Sequence, residues 1–394
     1  MMNFNYYMPT KVMFGVGKLE ELGKVALPGK RPLVVTSNGG SMRRNGYIDR
    51  VMDLLKANGC DPVLYDQVAP NPTLVQVMDG VALANESGCD FVVGLGGGSP
   101  IDASKAIATT VTNGGNYWDY ICGGTGGGKT PEKPALPIVA IPTTAGTGTE
   151  ADPWTVVTNE DTNEKIGWGN DHTFPVFSIV DPSLMVSVPP AVTAMTGMDA
   201  FFHASEAYLA LCRQPASDLL ALEAVNLLTT FLPLAVAQGN NIQARTMVAW
   251  ASTAAGLCES YSSCIAQHSL EHALSAFHPN MPHGAGLVMI SLAFFEVMAR
   301  VQPKRCADMA MTMGENLEGM SLAEQGMAMV TALRKLIKNV GLDTLSLADY
   351  GVTEEEIPAL ARNAREAMGG LFTVTPVDLS QAMVEEIFMK SLKG

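Results

Sequence analysis

The first half of the chain alternates short apolar runs with amphipathic stretches. Four short runs rich in β-branched residues predict buried strands, at residues 31–37, 61–68, 90–98 and 136–144. Three stretches between them carry apolar side chains at helical spacing and predict helices, at residues 47–59, 74–88 and 99–113. Strands and helices that alternate in this way predict a parallel sheet with helices on both faces.

The pattern changes near residue 188, where Ala, Leu, Met and Glu at helical spacing replace the β-branched runs. Helices are predicted at residues 190–211, 215–237, 241–259, 263–276, 284–301, 303–315, 321–340, 353–368 and 378–392. Three prolines, at positions 182, 189 and 190, interrupt the chain between the two patterns. We therefore expect a Rossmann-like α/β domain at residues 1–187 and an all-helical domain at residues 188–394.

Composition narrows the range of partners. The 394 residues are 47% hydrophobic, and their net charge of −14 disfavours nucleic acid and anionic membranes as partners. Seven scattered cysteines without a CxxC motif indicate reduced thiols and a cytoplasmic protein, and no signal peptide is recognisable. The most apolar long stretch, residues 219–237, contains Glu223, Asn226 and Pro233, which favours a buried helix over a membrane span.

A glycine-rich turn, GLGGGSPID at residues 94–102, follows a predicted strand and begins a helix. We expect Ser99 to cap this helix and Asp102 to complete a capping box. Its glycines, Gly96, Gly97 and Gly98, would let backbone amides approach a phosphate group, although a purely structural turn is the alternative. A second small-residue turn, PTTAGTGTE at residues 142–150, is another candidate for binding phosphates or ribose.

The end of the first strand bears on the choice of nucleotide. An NAD site usually places a carboxylate there for the ribose 2′-hydroxyl, but the segment TSNGGSMRRNG at residues 36–46 has none. It offers small groups and then two arginines, namely Ser37, Gly39, Gly40, Ser41, Arg43 and Arg44. This pattern favours NADP over NAD, while a solvated helix start is the alternative interpretation of the arginines.

Four of the six histidines of the chain lie within the sixteen residues 268–283. His268 and His272 are four residues apart and would share one face of a helix. Asp199 and His203 repeat that spacing on a second, mostly apolar helix, where such groups are costly to bury without a partner. Asp199, His203, His268 and His283 would give a divalent metal one oxygen and three nitrogen ligands, suited to Fe²⁺ or Zn²⁺. Separately packed histidines are the alternative.

The chain resembles the iron-dependent (group III) alcohol dehydrogenases. The resemblance includes PTKVMFGVGKLEELG, GGGSPID, AIPTTAGTGTE, TGMDAFFHASE, the histidine stretch and PHGAGL, in this order along most of the chain. It implies a dehydroquinate synthase-like architecture, with a dinucleotide-binding domain followed by a metal-binding domain. It also implies metal ligation by the four residues just named, and a place for His272 near the reacting centre without ligation.

The resemblance implies cofactor contacts from Asn71, Gly96, Gly97, Gly98, Ser99, Asp102, Thr143, Thr144 and Lys165. The expected activity is metal-dependent hydride transfer between NADP(H) and a small primary alcohol, diol or aldehyde, with His272 relaying the proton. One alternative is a zinc- and NAD-dependent polyol oxidoreductase similar to glycerol dehydrogenase. Another is a dehydroquinate synthase-like lyase, which would need a more basic site. A homodimer or higher homo-oligomer is also implied.

Overall fold

The structure is a computed structural model that describes residues 4–393. The chain forms two compact units, one spanning Tyr7–Val188 and the other containing residues 4–6 together with everything from Pro189 onward. Each unit has its own elements and core, so each is described by itself.

The first unit is an α/β unit built on a six-stranded parallel sheet. Its strands, in spatial order, are β1 (Lys11–Phe14), β8 (Phe177–Val180), β5 (Ile138–Pro142), β4 (Phe91–Gly96), β2 (Pro32–Ser37) and β3 (Val63–Val68). An antiparallel hairpin stands apart from it, formed by β6 (Thr155–Asn159) and β7 (Glu164–Trp168). The helices are α1 (Ser41–Arg44), α2 (Tyr47–Ala57), α3 (Leu74–Ser87) and α4 (Gly98–Asn113). The predicted class, a Rossmann-like α/β region, is confirmed.

Three features of this unit differ from the sequence-based expectations. The strands β1 and β8 and the hairpin were not predicted, because each is short and β1 is only partly buried. The predicted cap at Ser99 is wrong, since α4 begins at Gly98 with Gly97 as its N-cap and no side-chain cap. Asp102 therefore completes no capping box. Its carboxylate instead accepts hydrogen bonds from Thr149 Oγ1 (2.7 Å) and Val156 N (3.0 Å).

A buried lysine ties α4 to the segment that precedes β6. The Lys105 side chain is fully buried, and its Nζ donates to Thr149 Oγ1 (2.6 Å), the Asp152 carboxylate (3.0 Å) and Trp154 O (2.6 Å). Burial raises the pKa of the nearby Asp102 to about 6, although Lys105 partly offsets this effect. The ammonium group thus neutralises carboxylates that would otherwise be costly to bury.

The second unit is helical. Its helices are α5 (Pro190–Leu209), α6 (Pro215–Ala237), α7 (Ile242–Ser262), α8 (Ala266–Phe277), α9 (His283–Val301), α10 (Pro303–Thr312), α11 (Leu322–Asn339), α12 (Ile357–Ala367), α13 (Gly369–Thr373) and α14 (Gln381–Lys393). Helix α9, which begins at His283, packs against both α5 with Asp199 and His203 and α8 with His268 and His272. Gly197 lets α6 approach α5, because a Cβ at this position would lie 2.2 Å from Leu232 Cδ1. The predicted helical class of this half is confirmed.

Two of these helices, α6 and α9, are long and apolar enough to cross a membrane by length and composition alone. In α9, 61% of the most apolar window is buried inside the protein, whereas the figure for α6 is 39%. Helix α6 packs along α5 and α7. The two helices are therefore weak evidence for a membrane.

We expect Lys105→Met to destabilise the protein by about 3–5 kcal/mol, because it leaves the buried Asp152 carboxylate without its cation. The measurement is the shift of the urea midpoint at an unchanged m-value. Lys129→Met is the matched control. It removes an exposed ion pair with Asp119 (2.9 Å) and should cost less than about 1 kcal/mol. Equal effects of the two substitutions would contradict the importance of the buried pair.

Candidate metal and nucleotide sites

One carboxylate oxygen in the helical unit lies close to three imidazoles. Asp199 Oδ1 is 3.7 Å from His203 Nδ1, 3.7 Å from His268 Nε2 and 3.5 Å from His283 Nε2. Ligand atoms of Asp199, His268 and His283 all lie within 4.8 Å of one another. Ligands that bind one metal at about 2.0–2.2 Å in tetrahedral geometry are themselves about 3.4 Å apart, which matches these separations.

Helical spacing and close helix contacts bring these groups together. Asp199 and His203 share one face of α5, His268 lies in the first turn of α8, and His283 is the first residue of α9. Gly284 allows the start of α9 to touch α5, because a Cβ there would lie 2.2 Å from the carbonyl oxygen of Met195. Met195 precedes Asp199 by one turn, so this glycine brings His283 next to the carboxylate.

The geometry leaves polar atoms that a cation would satisfy. Asp199 Oδ1 and His268 Nε2 are both buried and have no hydrogen-bond partner. Burial alone would raise the pKa of Asp199, but His203 and His283 hold it well below its ordinary value. Burial would lower the pKa of His268, yet Glu206 and Asp199 outweigh burial and raise it to about 10. Such unsatisfied atoms are costly in a protein interior, and the donor set fits a divalent metal.

Each of the three imidazoles also has a buried carboxylate at its other ring nitrogen. The pairs are Glu206–His268 (2.6 Å), Glu259–His203 (3.2 Å) and Glu271–His283. Carboxylates in this position orient metal-binding histidines and fix their tautomers. None of the three carboxylates is predicted from the sequence as the partner of a histidine. Glu206 and Glu271 lie on the helices of the proposed ligands, which indicates that they are buried, but the sequence does not show which imidazole each one faces.

His272 lies beside this cluster with a different kind of neighbour. Its ring centroid is 5.5 Å from that of His283 and 6.5 Å from that of His268. Its Nδ1 lies 3.1 Å from the thioether sulfur of Met368, which follows α12. A thioether is a weak acceptor, so this ring nitrogen has a less polar neighbour than the carboxylate-facing nitrogens of the other three imidazoles. Ligand atoms of Glu271, His272 and His283 also lie within 4.8 Å of one another.

Cys264 is a further group within reach of a metal. Its sulfur and ring nitrogens of His203 and His268 lie within 4.8 Å of one another, so this group shares His268 with the group that contains Asp199. Burial and Glu259 raise the pKa of the Cys264 thiol well above its ordinary value. Cys264 Sγ has a partner, because it donates to Glu259 Oε2 at 3.3 Å, whereas Asp199 Oδ1 has none. The group of Asp199, His268 and His283 is therefore the better candidate metal site.

In the α/β unit, three neighbouring strands end at one edge of the sheet. Gly96 at the end of β4 pairs with Pro142 at the end of β5, and Leu95 pairs with Thr36 of β2. The ends of these strands and the segments that follow them contain many of the proposed cofactor contacts: Ser37, Gly39, Gly40, Ser41, Gly97, Gly98, Ser99, Thr143 and Thr144. Nucleotides bind at this edge in open α/β sheets.

The two small-residue turns fit closely against each other. Thr143 N donates to Gly96 O at 2.7 Å. A Cβ at Gly97 would lie 3.0 Å from Thr144 Oγ1, and a Cβ at Gly98 would lie 2.4 Å from Thr147 Cγ2. Glycine at these positions therefore lets the second turn pack directly against the start of α4.

The other proposed contacts lie in different surroundings. Lys165 is buried in β7 and pairs in register with Thr158. Thr158 N donates to Pro72 O at 2.9 Å, so the hairpin that carries Lys165 adjoins the loop that contains Asn71. Asn71 has a φ of 56°, a left-handed conformation that asparagine tolerates better than most residues. Asp102 is engaged in the network around Lys105.

Comparison with known proteins gives full-length matches. Residues 9–182 match the family model "Iron-containing alcohol dehydrogenase", and residues 193–392 match "Fe-containing alcohol dehydrogenase family, C-terminal". The chain is 35% identical to a 1,3-propanediol dehydrogenase of Klebsiella pneumoniae, with 92% of each chain covered. It is 34% identical to an NAD-dependent methanol dehydrogenase of Bacillus methanolicus, over 92% of this chain and 93% of that one. A crystal structure of an archaeal halo-thermophilic alcohol dehydrogenase from a Red Sea brine pool matches with a TM-score of 0.95, 34% identity and 100% coverage of both chains.

We expect the purified protein to bind one divalent metal ion per chain. His268→Ala should abolish this binding, because His268 Nε2 is one of the buried atoms without a hydrogen-bond partner. The measurement is elemental analysis after anaerobic loading with Fe²⁺ or Zn²⁺. His172→Ala is the control, since that histidine is exposed in the α/β unit and should leave the metal content unchanged. Equal metal content in the wild type and both variants would exclude the site.

Proposed function

The chain belongs to the iron-containing alcohol dehydrogenase family, and we propose that it transfers hydride between NADP(H) and a small primary alcohol, diol or aldehyde. Alcohol dehydrogenase activity, a metal and a nicotinamide cofactor follow from the family. The observation that supports the metal-dependent reaction most directly is the convergence of three imidazoles on Asp199 Oδ1, at 3.5–3.7 Å.

Asp199, His203, His268 and His283 are the proposed ligands of Fe²⁺, or of Zn²⁺ in its place. When bound, the metal supplies Lewis-acid polarisation of the substrate oxygen. The chain contributes the shape and charge of the site. Asp199 and His268 are 3% and 4% exposed, so the surrounding helices exclude water and strengthen electrostatic interactions there. The buried carboxylates behind the imidazoles fix the orientation of their rings.

His272 is proposed to carry the proton that is exchanged with the substrate oxygen. Its imidazole adjoins the proposed ligands, yet its Nδ1 faces the Met368 sulfur instead of a carboxylate. Imidazole suits proton transfer because its ordinary pKa lies near neutrality. With Nδ1–H directed at the thioether, Nε2 is the nitrogen that accepts and returns the proton.

NADP is the proposed cofactor, with NAD as the alternative. The segment after β2 contains no carboxylate to repel a 2′-phosphate, and it offers the Ser41 hydroxyl. Arg44 Nη1 donates to Gly39 O at 3.3 Å, which keeps its guanidinium in this segment. Arg43 is less available, because it forms an ion pair with Asp66 at 2.7 Å. Arg44 is therefore the preferred cationic partner for the 2′-phosphate.

Short alcohols are the proposed substrates because two similar proteins are named for 1,3-propanediol and methanol. A cytoplasmic location and a homodimer or higher homo-oligomer complete the proposal. The experiment is a panel of primary alcohols, diols and aldehydes, each assayed with NADPH or NADH and with Fe²⁺ or Zn²⁺. Absence of turnover with every combination in the metal-loaded protein would overturn the proposed function.

We expect His272→Ala to lower kcat by about 100-fold or more, because general acid–base groups contribute about 10²–10⁴-fold. Its metal content should equal that of the wild type. The measurements are steady-state kinetics with the best substrate of the panel and elemental analysis of the same preparation. If His272→Ala lost its metal as readily as His268→Ala, the distinction between relay and ligand would be wrong.

We expect Ser37→Asp to shift the cofactor preference from NADPH to NADH by about tenfold or more, which corresponds to about 1.4 kcal/mol. A carboxylate at the end of β2 would repel the 2′-phosphate and could accept a bond from the 2′-hydroxyl. The ratio of kcat/KM for the two cofactors is the measurement. Ser37→Asn is the control, because asparagine has nearly the size of aspartate but no charge. An unchanged ratio in Ser37→Asp would argue against this strand end as the ribose site.

A further inference from the structure

Glu271 is a fully buried carboxylate that the proposed reaction does not use directly. It lies on α8 between His268 and His272, and its Oε2 contacts His283 Nδ1 within hydrogen-bonding distance. An ionised carboxylate can only accept, so Nδ1 must carry the proton and donate it. The lone pair of His283 is then on Nε2, the nitrogen that faces Asp199 Oδ1 at 3.5 Å.

His283 needs such support more than the other ligands near Asp199. Its side chain is 22% exposed, compared with 5% for His268 and 4% for Asp199. It also begins its helix directly after Pro282, so no preceding helical turn restrains it. A partner on the buried side of the ring is therefore what holds the imidazole toward the cluster.

Helix α9 provides the space that this partner occupies. A Cβ at Gly286 would lie 2.8 Å from Glu271 Cγ and 2.9 Å from its Oε1. Glycine within a helix costs about 1 kcal/mol relative to alanine, so Gly286 makes helix α9 less stable than alanine would. The space it leaves is filled by the Glu271 side chain.

We propose that Glu271 is a positioning residue of the metal site, which holds His283 in the tautomer and orientation needed for ligation, and that Gly286 makes room for it. This inference rests on the proposed metal-dependent function. It adds a residue that controls metal affinity to those that bind the metal. Hydrogen-bonding partners of metal-binding histidines typically contribute 10–100-fold to metal affinity.

The chain contains a matched pair that serves as a control. His278 Nε2 lies 2.5 Å from Glu356 Oε1, which is the same kind of imidazole–carboxylate contact. His278 is in the loop that leads to His283, but it belongs to none of the potential metal-binding groups found among residues 4–393. Loss of this carboxylate perturbs the same loop without touching a proposed ligand.

The experiment compares Glu271→Gln, Gly286→Ala and Glu356→Gln with the wild-type full-length chain. The metal-free proteins are titrated anaerobically with Fe²⁺ or Zn²⁺ against a competing chelator, and their thermal unfolding midpoints are measured without metal. We expect Glu271→Gln to weaken metal binding by about 10–100-fold and Glu356→Gln to change it by less than about twofold. Gly286→Ala should also weaken binding, because its Cβ displaces the carboxylate without removing it.

If Glu271 had only a structural role, Glu271→Gln would lower the unfolding midpoint of the metal-free protein and leave the metal affinity of the folded protein unchanged. Wild-type affinity in Glu271→Gln, or equal losses in Glu271→Gln and Glu356→Gln, would overturn the inference while leaving the proposed function intact. A wild-type chain that binds no metal would overturn the proposed function itself, and this inference with it.

Discussion

The helical unit depends on one electrostatic constraint, namely the burial of Asp199 among three imidazoles. A carboxylate that is 3% exposed loses most of its hydration, and the three imidazoles do not fully replace it. Two of the atoms involved have no hydrogen-bond partner. A divalent cation would satisfy both of these atoms at once. The close contact of α9 with α5 at Gly284 and Met195 brings the proposed ligands into one place.

Much of this arrangement could be predicted from the sequence because its signals are local. Apolar periodicity placed most helices within a few residues of their observed ends, and α6 matches at both ends. The four-residue spacing of Asp199 and His203 required one helical face, which the structure has. By contrast, the cap of α4 was misjudged, because Ser99 is a good cap by composition. The helix begins one residue earlier, at Gly98, and its N-cap Gly97 packs against Thr144, which follows another strand.

What the sequence could not show are contacts between distant segments. Strand β1 is four residues long and only partly buried, and it joins the sheet through pairing of Lys11 with Phe177, 166 positions later. The carboxylate that faces His268 is 62 positions away in the chain, and the sulfur that faces His272 is 96 positions away. No local pattern predicts such pairs, since they arise only when helices pack. Histidines can therefore be found from the sequence, while their ring partners cannot.

Those ring partners separate the histidines by chemistry. The three imidazoles nearest Asp199 each face a buried carboxylate, a strong acceptor that increases the electron density available at the opposite nitrogen. His272 faces the Met368 thioether, a weak acceptor. An imidazole with a carboxylate behind it is the better ligand for a cation, whereas the one beside a thioether is the proposed proton relay. The same side chain can thus serve both functions within one cluster, and the residue behind the ring determines which.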